Sequence, residues 1–436
     1  MTEYEALRSQ AGQAIADRAV APGYIDAPVK PSEPVATDLF DLGAKAPIGE
    51  LLKAFRFNGK QTIVEEHHGV PYYFNEYWTA RQRQAHSIHE ISYRACFKAQ
   101  LPEFFISRLT RPGDAIYDPF MGRGTTPIQA ALMGRRAFGN DINPLSTYLT
   151  RPRTNPPTLM DIKARLNEID WSRASEGAPE LLVFYHPETL TEILALRSYL
   201  LEREAAGRID PVDDWIRMVA VNRLTGHSSG FFSVYSLPPN QAVSLESQRR
   251  INEKRNQVPP RRIVPDIIYK KSRTLLSDGR PPASLNTRFT VGSADDSPGI
   301  ETASVQLVVT SPPFLDIVQY AADNWLRCWF VGIDAKAVDI AMHKKPADWT
   351  AFISRTFSEL GRVVAPGGHV AFEVGEVRNG TIKLEELVLN AMAPTPFEPL
   401  GVVVNVQEFT KTANCWGVDN NSKGTNTNRI VLARRV

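Results

Sequence analysis

The chain has 436 residues, 43% hydrophobic and 22% charged, with a formal net charge of +2. That length suits one large domain or two ordinary ones, and near-neutrality singles out no partner, so a surface for a polyanion must come from local clustering of charge. Three scattered cysteines, Cys96, Cys328 and Cys415, argue against a disulfide framework or a cysteine-rich zinc centre. With no basic-then-apolar leader and no apolar run near the roughly 18 residues of a membrane span, a soluble cytoplasmic protein without a membrane partner is expected.

Residues 1–48 open with helical potential, then carry five prolines among small residues over 21–48, which predicts an extended arm or linker. From His67 to Lys98 the chain is rich in aromatic and basic residues. Leu101–Leu109 has a helical apolar period, with Pro102 tolerated in the first turn, and Arg111-Pro-Gly-Asp114 breaks it. Ala115–Tyr117 then reads as a strand, Pro127–Met133 as a helix, and Ala137-Phe138 as a strand leading to Asn140-Asp141. Strand, turn, helix and strand open a doubly wound α/β sheet.

The alternation stops near residue 150. Helices are expected at Leu159–Ile169, Pro187–Arg203 and Asp213–Leu224, followed by a polar, basic stretch. Strands resume at Phe289–Val291 and at Val305–Val309, the latter nearly all apolar, as in the centre of a parallel sheet. Helices near 320–331 and 347–364, a turn at Pro366-Gly367-Gly368, a strand at His369–Val374 and a hairpin of Val402–Phe409 with Asn428–Ala433 complete the pattern. The expected fold is a Rossmann-like α/β domain over 49–150 and 286–436, its sheet mostly parallel with a C-terminal antiparallel hairpin, interrupted by a mainly helical insertion at 151–285.

Two motifs carry the chemistry. Asp118-Pro-Phe-Met-Gly-Arg-Gly-Thr125 links the first strand to its helix. Gly122 and Gly124 permit close approach of a ligand, and the helix behind points its free amides at it. Asp118 at the strand end suits an ammonium group, and Asp141 at the end of the next strand stands where an acid holds ribose hydroxyls. An acid for an amine and another for a ribose fit S-adenosylmethionine better than a dinucleotide, and the turn has no lysine for nucleotide phosphates.

Thr310-Ser-Pro-Pro-Phe314 follows the apolar strand. Pro312 and Pro313 fix φ and remove two backbone donors, so carbonyls face the pocket. The Ser311 oxygen and a proline carbonyl accept from an exocyclic amino group, aiming its lone pair at a methyl donor, while Phe314 stacks on the ring. Flipping the base costs roughly a few kcal/mol, and aromatic stacking returns about 1–3 kcal/mol.

These two motifs resemble the cofactor and catalytic motifs of DNA amino-methyltransferases, which methylate cytosine N4 or adenine N6. The resemblance covers about residues 86–150 and 286–436. It implies that Phe120, Gly122, Gly124 and Thr125 line an S-adenosylmethionine pocket, with Asp118 at the methionine part, Asp141 on the ribose, and no metal. It implies that Ser311, Pro312, Pro313 and Phe314 hold the flipped base, and Lys98–Pro102 looks like the family's extra motif beside the methionine end. Serine in the first clamp position resembles the cytosine-N4 members, with adenine N6 or an RNA base as alternatives. Double-stranded DNA is the implied partner, with a restriction endonuclease as functional counterpart. Two departures stand out. Gly292-Ser-Ala-Asp295 replaces the usual Gly-Asp-Ala, leaving both Ser293 and Asp295 as candidates for the adenine-ring contact, and the long insertion fits none of the commonest motif orders.

Between Gln248 and Arg273 nine cations face two acids, Glu253 and Asp266: Arg249, Arg250, Lys254, Arg255, Arg261, Arg262, Lys270, Lys271 and Arg273. Such a run is a candidate phosphate-contacting surface. Just upstream, Thr225–Gln241 mixes small polar residues and aromatics, and its Asn240 and Gln241 have the donor and acceptor pattern that reads adenine edges. His227 reads as structural, and Trp325 and Trp329, four apart on one helix face, as core packing.

Overall fold

Strands that alternate small and branched apolar residues need both faces covered, and here helices supply the cover. The computed structural model describes residues 47–78, 85–93, 97–173, 177–237, 241–282, 286–315, 320–338, 343–377, 382–406 and 427–436. Residues 1–46 of the arm expected at 1–48, Asn240, Cys96, Cys415 and the end of the expected strand at 407–409 lie outside them, and Ile48 instead opens the first helix.

One sheet contains β1 (Ile63–His67), β2 (Val70–Asn75), β3 (Ala115–Asp118), β4 (Arg136–Asp141), β5 (Arg288–Val291), β6 (Val305–Thr310), β7 (Val364–Val374), β8 (Phe397–Val406) and β9 (Thr427–Arg435). Their order is β1-β2-β8-β9-β7-β6-β3-β4-β5. From β7 to β5 all neighbours run parallel, and β9 inserts antiparallel between β7 and β8. This is the expected α/β sheet with its C-terminal hairpin. Beyond expectation, β2 adds in parallel to β8 and pairs with β1 through a tight hairpin at His68-Gly69, both at positive φ.

The helices are α1 (Ile48–Ala54), α2 (Gln100–Leu109), α3 (Thr125–Leu132), α4 (Leu145–Thr154), α5 (Leu159–Glu168), α6 (Pro187–Ala205), α7 (Pro211–Val221), α8 (Leu245–Arg255), α9 (Val264–Leu275), α10 (Tyr320–Phe330), α11 (Pro346–Val363) and α12 (Leu384–Met392). Strand alternation sorts the core. Ile116, Leu307, Val309 and Ala371 face α1, α2 and α3 on one side of the sheet. Tyr117, Val308, Val370 and Phe372 face α11 and α12 on the other.

A third core belongs to the helices at 151–285, with Trp215, Ile193 and Ile268 buried in it. It also takes in Leu145 and Leu149 of α4, Leu326 and Phe330 of α10, and Ile88, Ile91 and Tyr93. The inserted helices thus share one core with elements on both sides of the insertion. Their starts are well specified: Thr158 and Asp210 each close a capping box with an aspartate three residues on.

The expected turn at Pro366–Gly368 sits inside β7 rather than before it. The ladder steps from Val305–Val364 to Leu307–His369, so residues 365–368 bulge out of a strand that starts earlier. Gly367 takes a positive φ of 77° to make that bulge. Among the described residues no helix is long and apolar enough to cross a membrane.

Candidate functional site

β3 and β4 end side by side, which brings the two acids of the glycine turn together. The fully buried Asp118 accepts from the Phe120 backbone N–H at 3.1 Å and from the Thr310 hydroxyl at 2.6 Å. Asp141 accepts from the Gly122 N–H at 2.8 Å and from the Asn143 N–H at 2.9 Å. Burial pushes the Asp118 carboxyl up to about 7, against the hydrogen bonds from Thr310 and Phe120, and the charge of Asp141 adds to the rise. Burial raises Asp141 also, opposed by its backbone donors. Two carboxylates held this way lower their energy most by meeting a cationic group and hydroxyl donors.

The turn between them leaves little room for side chains. Gly124 caps α3 at φ 80°, and a Cβ there would stand 2.3 Å from Thr150 Oγ1 of α4. Gly122 has φ 49° but open surroundings, with Tyr93 Cε1 at 3.8 Å from a built Cβ. Thr125 opens α3 and is buried, while Phe120 is half-buried and packs edge-on against Phe352 of α11.

At the β5 end, Asn140 donates to the carbonyls of Gly292 and Ser293 at 2.9 and 3.2 Å, so β4 shapes this loop. The Ser293 hydroxyl donates to Asp295, whose other oxygen accepts from Arg355 Nε at 2.8 Å. Burial opposes the Asp295 charge, yet Ser293 and Arg355 together hold its carboxyl below the ordinary carboxylate range. Asp295 is therefore committed to α11.

The Ser311–Phe314 turn leaves the sheet from β6, next to β3. Pro312 is buried and Ser311, Pro313 and Phe314 half-buried. The Pro313 carbonyl accepts from the Trp349 indole N–H at 2.9 Å, which anchors the turn to α11. Glu373 of β7 follows Phe372, the register partner of Thr310, at the same end of the sheet. Glu373, 6% exposed, accepts from Asn428 Nδ2 of β9 at 2.9 Å. Burial raises the Glu373 carboxyl, with the polar groups of Ser311 and Asn428 opposing.

Sequence reasoning gave Thr310 no partner and missed Trp349, which holds the second motif from α11. It also missed the segment Ile88–Tyr93, which lies across the glycine turn. Arg123, inside that turn, donates to the carbonyls of Ile91 and Phe97 at 3.0 and 3.4 Å. Arg153 reaches Ile88 O at 3.2 Å and Arg327 reaches Ser92 O at 3.1 Å. An arginine between two turn glycines was the available sign of such bracing.

The basic stretch divides by placement. Arg249, Arg250, Lys254 and Arg255 are exposed on α8, with Arg250 paired to Glu246 and Arg255 lying 3.8 Å over the Tyr235 ring. Lys270 and Arg273 are exposed on α9. Arg261 is instead engaged by Glu188 and Glu192 of α6, and Lys271 turns toward Glu90 at 3.6 Å. Arg262 is half-buried, its backbone carbonyl and N–H bound to Thr189. The expected basic surface is thus interrupted, because Arg261 and Lys271 answer carboxylates on neighbouring elements. Trp325 and Trp329 pack on the inserted core and also line a groove of about 1240 Å³ against residues 241–249. His227 sits beside Phe231 in an exposed loop.

Comparison with known proteins places the first motif. Residues 53–149 match the N6/N4 methyltransferase family, described as DNA methylase. Among curated relatives, the Type II methyltransferase M.MjaII of Methanocaldococcus jannaschii is 36% identical over 83 residues, covering 19% of this chain and 15% of that protein. The Type II methyltransferase M.MvaI of Kocuria varians is 31% identical over 71 residues, 16% of this chain and 14% of that one. The orphan methyltransferase M.BamHII of Bacillus amyloliquefaciens is 35% identical over 86 residues, 19% of this chain and 31% of that one. The chain thus spans only a small part of each relative's length. The family match includes Asp118, both turn glycines and Asp141, and ends before the Ser-Pro-Pro-Phe turn. Over residues 53–149 the chain is thus similar to the DNA amino-methyltransferases, without distinction between their cytosine-N4 and adenine-N6 members.

Proposed function

We propose that the protein transfers a methyl group from S-adenosylmethionine to the exocyclic amino group of a base flipped from double-stranded DNA, with cytosine N4 as the target. The observation that carries this reading is the Thr310–Asp118 hydrogen bond, which sets the Ser-Pro-Pro-Phe turn directly beside the glycine turn.

The residues fit the cofactor. Asp118, buried and short of positive charge, suits the methionine ammonium, Asp141 suits the ribose, and Ser293 serves the adenine ring better than the committed Asp295. When bound, S-adenosylmethionine supplies an electrophilic methyl on a sulfonium. Ser311 and the Pro312 carbonyl accept the amino hydrogens and orient the nitrogen, and Phe314 stacks on the ring. There the nitrogen would take the methyl as the methyl–sulfur bond breaks to leave a thioether, and its surplus proton would pass to solvent. This is catalysis by orientation.

In this reading residues 151–285 form the target-facing insertion, and Arg249, Arg250, Arg255 and Lys270 meet DNA phosphates. Pairing with a restriction endonuclease belongs to the same proposal. The test is incubation with labelled S-adenosylmethionine and mixed-sequence DNA, followed by mass analysis of the nucleosides. N4-methylcytosine is expected. N6-methyladenine would move the target base, and label confined to RNA would overturn the proposal.

A further inference from the structure

A single exposed apolar side chain is ordinary on a protein surface, but one that the backbone holds out among cations is not. Val258, in the turn between α8 and α9, stands that way and is 83% exposed. Ile263 at the far end of the turn and Leu182 are exposed as well. Asn252 of α8 joins these segments. Its Nδ2 donates to the Val183 carbonyl at 2.8 Å, and its Oδ1 accepts from Gln257 Nε2 at 2.8 Å.

The backbone of the turn is pinned at both ends. Asn256 closes α8 at a φ of 46°, in the left-handed region. Gln257 Nε2 also donates to the Tyr235 carbonyl at 3.0 Å, and Pro259 and Pro260 fix their own φ. Beyond them Arg261 is engaged by Glu188 and Glu192. The Arg262 N–H donates to the Thr189 hydroxyl at 2.8 Å, and that hydroxyl donates back to the Arg262 carbonyl at 2.9 Å. Val258-Pro259-Pro260 is therefore a stiff apolar tip.

The charge around the tip fits one kind of partner. Of the cations from 249 to 262, Arg250 answers Glu246 and Arg261 answers α6. Arg249, Lys254, Arg255 and Arg262 pair with no carboxylate among the described residues, and Glu253 is the one acid in that stretch. Arg255 is steadied 3.8 Å over the Tyr235 ring, and the Arg262 Nε is buried with no hydrogen-bond partner. A polyanion that also offers apolar surface answers both features. A DNA duplex has that form, with phosphates outside and stacked bases within.

We propose that the α8–α9 turn is a wedge for duplex DNA, with Val258 and Pro260 entering against the base stack while Arg255 and Arg262 take the flanking phosphates. The inference rests on the function proposed above, which needs a base to leave the stack. An apolar wedge that unstacks and kinks a step makes the duplex easier to open.

Two measurements test this, and neither needs methylation. In the first, a labelled mixed-sequence duplex is titrated with the full chain by fluorescence anisotropy over a salt series. Val258→Ser should weaken binding about tenfold, from lost apolar burial, with the salt slope unchanged. Val258→Leu should bind as tightly as the wild type, and Arg262→Ala should reduce the slope by about 0.9. The melting temperature of Val258→Ser should stay in place, because the side chain is exposed. In the second, 2-aminopurine replaces adenine in the duplex. Saturating wild-type protein should raise its fluorescence, and saturating Val258→Ser should raise it less. An equal rise would overturn the inference. Unchanged affinity in Val258→Ser would overturn it too and leave the tip to a protein partner. If the wild type shows both effects yet methylates no DNA, the wedge stands and the proposed function is what fails. If it methylates DNA while Val258→Ser binds and unstacks the duplex equally well, the function stands and the wedge fails.

Discussion

The Thr310 hydroxyl donates to the Asp118 carboxylate at 2.6 Å across 192 residues of sequence. Both groups are fully buried, and the bond joins the end of β6 to the end of β3. It makes the state of one motif depend on the other. Thr310→Val removes a donor from a carboxyl already raised to about 7, so Asp118 stays protonated to still higher pH. Cofactor affinity should rise with pH through neutrality in the wild type. In the variant the rise should come later, with affinity about tenfold lower near neutral pH. Calorimetric titration with S-adenosylmethionine across the neutral range reads both effects, and superimposable curves would refute them.

Asp118→Asn should separate stability from binding. A folded carboxyl raised from 3.8 to about 7 binds protons more tightly than the unfolded chain does. Stability from this group is therefore fully present below the unfolded value and is lost as pH rises toward 7. The neutral amide escapes that loss and keeps an oxygen for Thr310 and the Phe120 N–H. At slightly alkaline pH the ligand-free variant should be more stable by about 1–3 kcal/mol, while cofactor binding disappears. Denaturant unfolding at two pH values measures the first part; equal stability at alkaline pH would count against it.

The two turn glycines should fail differently. Gly124→Ala combines positive φ with a Cβ 2.3 Å from Thr150 Oγ1, so it should destabilise the fold by about 2–4 kcal/mol. Thr150→Ala in the same chain should recover part of that loss. Gly122→Ala meets open space and only backbone strain of about 1 kcal/mol, so the fold persists and the main effect falls on cofactor affinity. Melting temperatures alongside cofactor titrations distinguish the pair. Equal melting losses would mean that the Thr150 side chain moves aside freely.

Trp349→Phe keeps the packing of α11 but removes the indole N–H that holds the Pro313 carbonyl. A loss of about 1 kcal/mol in stability is expected, with turnover reduced and cofactor affinity retained. Cofactor affinity falling in step with turnover would show that the anchor supports the glycine turn instead.

On the basic stretch, replacing Arg249 and Arg255 of α8 with alanine should weaken duplex binding and reduce the salt slope by about 0.9 for each phosphate no longer neutralised. Arg261→Ala should lower the melting temperature, since it releases Glu188 and Glu192 of α6, and leave the salt slope in place. The reverse result would assign the phosphates to Arg261. Fluorescence anisotropy over a salt series decides it.

Local chemistry made much of this legible in the residues alone. A glycine at positive φ, an apolar run buried on both faces and a double proline each impose their conformation within a few residues. That is why β3, α3, β4, β6 and the two motifs were readable in order. The β1–β2 hairpin had its sign in His68-Gly69, but β1 carries two glutamates and no clean alternation, so its pairing depends on the edge that β2 finds beside β8. The bulge at 365–368 was also hidden, since a proline and two glycines read equally as a turn between elements or a bulge within one.

The pair of motifs, the α/β sheet that carries them and the helices of 151–285 thus follow from the residues alone, because propensity and period act over short stretches. Only the packed fold supplies the side chains that complete them: Thr310 on Asp118, Trp349 on Pro313, and carboxylates on Arg261 and Lys271. These partners come from strands and helices far apart in sequence, brought abreast by sheet order and register, and no local pattern encodes a neighbour that only the packed sheet creates.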